Sequence, residues 1–83
     1  MSTMNSTFNA TTAQADDLLQ LGLKFYLGQG VEKNLVEAHK WFNISAMKGS
    51  ASARIYRRDL AMEMSCHEIA DAQRMARELI TLH

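Results

Sequence analysis

The sequence predicts an all-α fold built from two helical hairpins, and three observations support it. Apolar residues recur roughly every three to four positions, the spacing of a helix face. The chain has no proline, and 47% of its residues are hydrophobic. Glycines and helix-capping residues flank the periodic segments, where helices end and begin. With 83 residues, the chain has room for one small domain, close to the size at which a single core suffices.

The first helix is predicted over residues 13–27. Its inward face carries residues at helical spacing: Leu18, Leu21, Gly22 and Phe25. Glycine inside a helix costs about 1 kcal/mol against alanine, so Gly22 predicts a place where another backbone comes close. Gly28 and Gly30 follow the helix. We expect one or both at positive φ, because glycine enters that region without a side-chain penalty.

The second helix is predicted over residues 34–48. Asn34 suits the N-cap, and Glu37 stands three residues later, as in a capping box. One face carries, at helical spacing, Leu35, Ala38, Trp41, Phe42, Ser45 and Ala46. We expect Trp41 to be buried between the helices, and Gly49 to end this helix.

This first hairpin resembles the Sel-one-like repeat (SLR), a relative of the tetratricopeptide repeat (TPR). The residues that stand at the positions of the family pattern are Leu21, Gly22, Phe25, Gly28, Gln29, Gly30, Val31, Asn34, Ala38, Trp41, Ser45, Ala46 and Gly49. Three positions depart from the family pattern: Phe25 replaces Tyr, Ser45 replaces Ala, and Asp17 stands at the leading Ala. The resemblance implies antiparallel helix pairs stacked as a short TPR-like α-solenoid, with the first helix of each pair on the concave side.

A second, degenerate unit is predicted over residues 50–83, after an SLR unit over residues 14–49. Both belong to one helical-repeat domain, residues 14–83. The third helix, about residues 51–63, places on one face Ala53, Tyr56 and Leu60. The family's Leu-Gly pair is replaced by two arginines, and its glycine turn is missing. Terminal units of solenoids are commonly atypical, so we interpret this unit as a cap.

The fourth helix is predicted over residues 66–82. Ser65 and Glu68 form the S-x-x-E pattern of a capping box at its start. Its inward face is expected to carry Ile69, Ala72, Ala76 and Leu79. At the other end of the chain, residues 1–13 are mostly Ser, Thr and Asn. Such a composition buries too little surface to offset the entropy of ordering, so a disordered arm is predicted.

Charge and composition restrict the classes of function. Nine basic and nine acidic residues give zero net charge, so no overall field directs the chain to nucleic acid or to an acidic membrane. The N-terminus lacks the basic residues and the apolar stretch of a signal peptide, and no apolar run reaches membrane-spanning length. The single Cys66 leaves no internal disulfide. We expect a cytoplasmic protein.

The residues with reactive side chains form no catalytic or metal-binding pattern. Cys66 and His67 are neighbours on a helix and point about 100° apart, so they form no dyad. We expect Cys66 to be buried and inert. His39, His67 and His83 lack the spacing of metal ligands. The glycine turn follows a helix and has no lysine, unlike a phosphate-binding loop. We therefore expect no enzyme activity, no cofactor and no metal.

The first helix carries a second apolar stripe at helical spacing: Leu19, Leu23, Tyr26 and Leu27. A helix packed on one side needs only one stripe. By the resemblance, this stripe faces the concave groove, and the third helix extends it with Ile55, Tyr56 and Met62. We expect these residues to bind another protein, through a helix or peptide, or a second copy of this chain. Two alternatives stay open: the fourth helix or the N-terminal arm covers the stripe, or the stripe is additional core.

A basic cluster on the third helix consists of Arg54, Arg57 and Arg58. One interpretation is a solvated surface in which these arginines pair with Asp59 and other acids. The other is a contact with nucleic acid or an acidic partner. A nucleic-acid-associated regulator is therefore the alternative to a protein-binding adaptor, although the balanced charge argues against strong nucleic-acid binding.

Overall fold

The computed structural model describes the backbone of residues 2–82 and the side chains of residues 14–81. Within these bounds the chain forms four helices and no strand: α1 (Ser2–Leu27), α2 (Leu35–Met47), α3 (Ala51–Ala61) and α4 (Cys66–Leu82). The all-α prediction is confirmed. The backbone of α1 runs through residues 2–13, where the sequence predicts disorder. The side chains of residues 1–13 lie outside the described residues, and the arm stays a prediction.

The centre of the fold is α2, because α1, α3 and α4 each pack against it. It buries residues on more than one side: Ala38, His39, Phe42, Ile44, Ser45 and Ala46. By contrast, α3 and α4 make few contacts with each other. The second predicted hairpin is therefore two helices that dock separately on α2. None of the described helices combines the length and the apolar character that crossing a membrane requires.

The hydrophobic core cluster lies where α2 meets α1 and α3. Phe42 and Leu60 are fully buried in it, together with three alanines. On α1, a Cβ atom at Gly22 would lie 2.6 Å from the Phe42 ring. Gly22 therefore makes room for a side chain, whereas the sequence predicts the approach of a backbone. Closer to the N-terminus of α1, the carbonyl of Ala15 accepts a 2.6 Å hydrogen bond from the buried Ser45 hydroxyl.

Trp41 is only half-buried, so the expectation that its side chain is buried in the core between the helices is wrong. Phe42, the next residue, takes that place. Neighbouring side chains on a helix point about 100° apart, so the two rings do not share one core position. The Trp41 ring instead lies beside the Lys40 ammonium group, 4.4 Å from the ring centroid.

The turns and caps follow local sequence chemistry. Gly28 and Gly30 have φ of +68° and +75°, which confirms the predicted positive φ. The backbone N–H of Asn34 then donates to the Phe25 carbonyl at 2.9 Å and closes the connection between α1 and α2. The Asn34 side chain caps α2 by accepting from the N–H of Glu37 at 3.0 Å.

The last two helices are also capped by side chains. Ser65 and Glu68 form the predicted capping box, in which each side chain accepts from the other residue's N–H, at 3.1 and 2.8 Å. The Ser50 hydroxyl caps α3 by accepting from the N–H of Ala53 at 3.1 Å. The capping role of Ser50 was not predicted from the sequence. These caps satisfy donors that a helix start otherwise leaves unpaired.

Candidate interaction surfaces

Aromatic rings fill the boundary between α1 and α3. The buried Phe42 ring of α2 stacks on Tyr56 at a centroid distance of 5.4 Å. Tyr26 meets Phe42 edge-on at 6.1 Å and Tyr56 at 6.5 Å. Such offset and edge-on pairs stabilise a contact beyond the area that they bury. We use the name aromatic face for this side of the molecule, formed by Leu19, Leu23, Tyr26, Leu27 and Tyr56.

The residues predicted to bind a partner differ widely in exposure. Three are half-buried and pack against the core cluster: Leu19, Leu23 and Tyr26. Leu27 is 57% exposed and Met62, the C-cap of α3, is 84% exposed. Tyr56 is exposed at one edge although its ring contacts Phe42. Ile55 lies apart from them, in a groove on the α4 side of α3.

Two carboxylates give the aromatic face an acidic edge. The Tyr26 hydroxyl donates to Glu63 at 3.1 Å. This hydrogen bond raises the pKa of Tyr26, and partial burial and the negative charges of Glu63 and Asp59 raise it further. The negative charge of Asp59 thus acts on the Tyr26 hydroxyl of α1.

The arginine groove, a depression of about 420 Å³, lies between α2, α3 and α4. Its lining residues are His39, Arg54, Ile55, Arg57, Arg58, Ala61, Ile69 and Gln73. Among these lining residues there is no carboxylate. The ion pairs found within residues 14–81 join other side chains, and none includes an arginine of this groove. Within these residues the cluster forms no ion pair with Asp59, whereas Arg54 and Arg58 are exposed, as expected of a solvated surface.

Arg57 is fixed in place by an uncharged partner. Its Nη1 atom donates to Oδ1 of Asn43, on α2, at 2.6 Å. Because the Asn43 amide is neutral, this contact orients the guanidinium group without cancelling its charge. The contact thus holds a positive charge at the groove between α2 and α3.

His39 lies in the same groove and is only 3% exposed. Its Nδ1 atom is buried and has no hydrogen-bond partner among the described residues. Burial lowers the pKa of His39, and the positive charge of Arg57 lowers it further. The imidazole is therefore neutral at pH 7. The sequence did not predict that His39 lines the groove or that Asn43 binds Arg57, although their four-residue spacing places both on one face of α2.

A second, mainly apolar groove of about 690 Å³ lies between α1, α2 and α4. Trp41 and Ile44 of α2 line it together with Leu18, Leu79 and Ile80. The Nε1 atom of Trp41 is buried there and has no partner among the side chains that the structure describes. Because the sequence predicts Trp41 in the core, this groove was not expected.

Cys66 is exposed, which contradicts the expectation that it is buried. The reason is its position as the first residue of α4, on a turn whose inward face is taken by Ile69. In the described part of the chain, no three His, Cys, Asp or Glu side chains are grouped so that they hold a metal ion.

The chain matches no protein-family model, no curated protein and no solved structure. The resemblance to the SLR family therefore rests on the residues of the sequence alone.

Proposed function

We propose that this protein is a protein–protein interaction module that binds an apolar helix or extended peptide on its aromatic face. The partner is a separate protein or a second copy of the chain. The observation that supports the proposal is the exposure of Leu27 and Tyr56 beside rings that are already packed together. Aromatic and large apolar groups on a rigid base are typical anchors of an interface. Their burial against a partner removes apolar surface from water.

The acidic edge indicates the chemistry of the partner segment. Asp59 and Glu63 lie close to Tyr26, so a segment with apolar anchors next to lysine or arginine complements this face. Complementary charge contributes mainly to orientation and association rate. We therefore expect the apolar anchors to supply most of the affinity and the basic residues to set the direction of binding.

The SLR resemblance is part of the proposal. It describes residues 14–49 as one repeat and residues 50–83 as a capping repeat, with α1 and α3 lining a concave surface. The contact between Tyr26 and Tyr56 across α1 and α3 supports this arrangement. An adaptor or regulator acting in the cytoplasm remains the biological role that we propose.

The test uses one exposed residue of the face and a matched exposed residue elsewhere. Leu27→Glu changes the aromatic face, and Met47→Glu makes the same kind of change on α2, where the side chain is 64% exposed. Leu23 is a poor choice because it packs against the core. Light scattering over a range of concentrations measures self-association, and affinity capture from cells measures a heterologous partner.

We expect Leu27→Glu to weaken the complex by about tenfold or more, because burying a leucine contributes about 1.5–3 kcal/mol. Met47→Glu should leave binding unchanged, and both variants should keep the helical circular-dichroism spectrum. If the two variants bind the partner equally well, the interface does not lie on the aromatic face. A wild-type chain that stays monomeric and captures nothing would overturn the proposed function.

A further inference from the structure

The arginine groove concentrates positive charge without an internal counter-ion. Arg54, Arg57 and Arg58 all line it, and no carboxylate does. His39, the other basic side chain there, is neutral at pH 7, since burial and Arg57 lower its pKa. Like charges confined to one groove repel one another, and this repulsion is relieved when an anion binds between them.

The groove is also partly organised before any ligand arrives. The 2.6 Å contact with Asn43 fixes one N–H of Arg57 and leaves its other donors free. A donor that is already oriented loses less side-chain entropy on binding. Arg54 lies three residues before Arg57 and four residues before Arg58 on α3, so its side chain is a neighbour of both, and all three line the groove.

The size and the walls of the groove indicate the class of ligand. Guanidinium groups match phosphate oxygens with paired N–H donors, and several of them suit a doubly charged group better than one carboxylate. The groove is larger than a phosphate alone, and its remaining walls include Ile69 and Ala61. We propose that the arginine groove binds a small phosphate monoester, with the phosphate between Arg54, Arg57 and Arg58 and the apolar body of the ligand along Ile69.

A small ligand fits these observations better than a nucleic-acid strand. The whole chain has zero net charge, and three of its five arginines line this one depression between helices. A nucleic-acid surface usually extends positive charge along a face, to follow successive phosphates. The groove lies on the α4 side of α3, away from the aromatic face. The two proposals therefore concern different surfaces, and either one can be wrong without the other.

The experiment titrates the full chain with phenyl phosphate and follows binding by calorimetry and by the NMR signals of the His39 imidazole. Phenylacetate serves as a carboxylate probe, and a short single-stranded oligonucleotide tests the polymeric alternative. The variant Arg54→Gln with Arg58→Gln removes two charges from the groove and keeps the contact between Arg57 and Asn43. Lys24→Gln with Lys33→Gln removes the same charge from exposed positions outside the groove lining.

We expect phenyl phosphate to bind the wild type and to raise the pKa of His39, because a bound anion offsets the charge of Arg57. The groove variant should bind phenyl phosphate at least about tenfold more weakly, since losing a hydrogen bond to a charged group typically lowers affinity by that factor or more. The lysine control should stay within about twofold, because distant exposed charges are screened. Circular dichroism checks that both variants fold.

Three results would overturn the proposal. The first is the absence of phenyl phosphate binding up to about 10 mM, because binding weaker than this would be non-specific. The second is equal loss of binding in the groove and lysine variants, or binding of phenylacetate as tight as that of phenyl phosphate. The third is tight, strongly salt-dependent binding of the oligonucleotide alone, which would assign the arginines to nucleic acid.

Discussion

The ring of Phe42 packs directly on the backbone of α1 at Gly22: a Cβ atom there would lie 2.6 Å from the Cδ1 and Cε1 atoms of the ring. Phe42 has no exposed surface, and its other sides contact Tyr26 and Tyr56. The ring therefore has no open space into which it can turn. The close approach of α1 and α2 depends on this pair of residues.

The first prediction is that Gly22→Ala destabilises the protein. Alanine gains about 1 kcal/mol of helix propensity over glycine, whereas forcing an extra group into a packed core costs about 1–3 kcal/mol. Because the ring is enclosed, we expect the second effect to prevail, with a net loss of about 1 kcal/mol or more in the free energy of unfolding. Urea unfolding followed by circular dichroism measures it.

Two further variants separate the contact from helix propensity. Gln20→Ala, at an exposed position of α1, should leave stability nearly unchanged or raise it slightly. Combining Gly22→Ala with Phe42→Leu should cost less than the sum of the two single changes, because the smaller side chain makes room for the methyl group. A Gly22→Ala protein as stable as the wild type would show that the two helices are not held at this distance by the ring.

The second prediction compares the two neighbouring aromatic residues of α2. Phe42→Ala should cost about 3–5 kcal/mol, because it empties an enclosed site, and that is a large part of the stability of a small domain. Trp41→Ala should cost distinctly less, since the side chain is half-exposed and its removal opens onto a groove. Thermal unfolding of both variants gives the order. The reverse order would mean that the wrong ring has been placed in the core.

Phe42 is buried where the sequence predicts Trp41, and this difference shows which features of the fold were predictable from the sequence. The caps at Asn34 and Ser65, and the positive φ at Gly28 and Gly30, depend on residues within a few positions, so local chemistry predicts them correctly. The choice between Trp41 and Phe42 depends on the rotation of α2 against α1. Both side chains satisfy the helical pattern, and only the distant contact at Gly22 decides between them.

The third prediction concerns backbone strain at Gly30. Its φ is +75°, and a Cβ atom there would have no neighbour within 4 Å, so substitution tests the backbone alone. Gly30→Val should destabilise by about 1–2 kcal/mol, because a side chain in this region meets the carbonyl oxygen. Gly30→Asn should cost less, since asparagine tolerates the left-handed region. Urea unfolding of the two variants gives the comparison, and equal stability would contradict the assigned conformation.

The candidate sites were predictable only in part, for a similar reason. The spacing of Arg54, Arg57 and Arg58 along α3 is visible in the sequence, as is the apolar stripe of α1. The groups that face the arginines come from α2, and periodicity within one helix does not indicate which residues of another helix lie opposite. Ile55 shows the same limit: the sequence groups it with Tyr56, whereas it lines the arginine groove.

The last prediction concerns the pH dependence of stability that His39 introduces. Burial lowers the pKa of His39, and Arg57 lowers it further; the other charged residues lining the groove are Arg54 and Arg58, and the residues that α4 contributes are uncharged. When the pH falls below about 6.5, the ordinary pKa of histidine, His39 takes up a proton in the unfolded state but resists protonation in the folded state. This contribution to stability is fully present above that pH and decreases as the pH falls.

The melting temperature should therefore drop between about pH 7 and about pH 5.5, a range in which histidine is the main titrating side chain. His39→Gln removes the titrating group, so the melting temperature of this variant should fall less over the same pH interval, whatever its stability at pH 7. Comparing the two pH slopes, and not the two stabilities, excludes a purely structural effect of the substitution. If wild type and variant show the same slope, the His39 imidazole is open to water in the folded protein and is not a buried residue of the arginine groove.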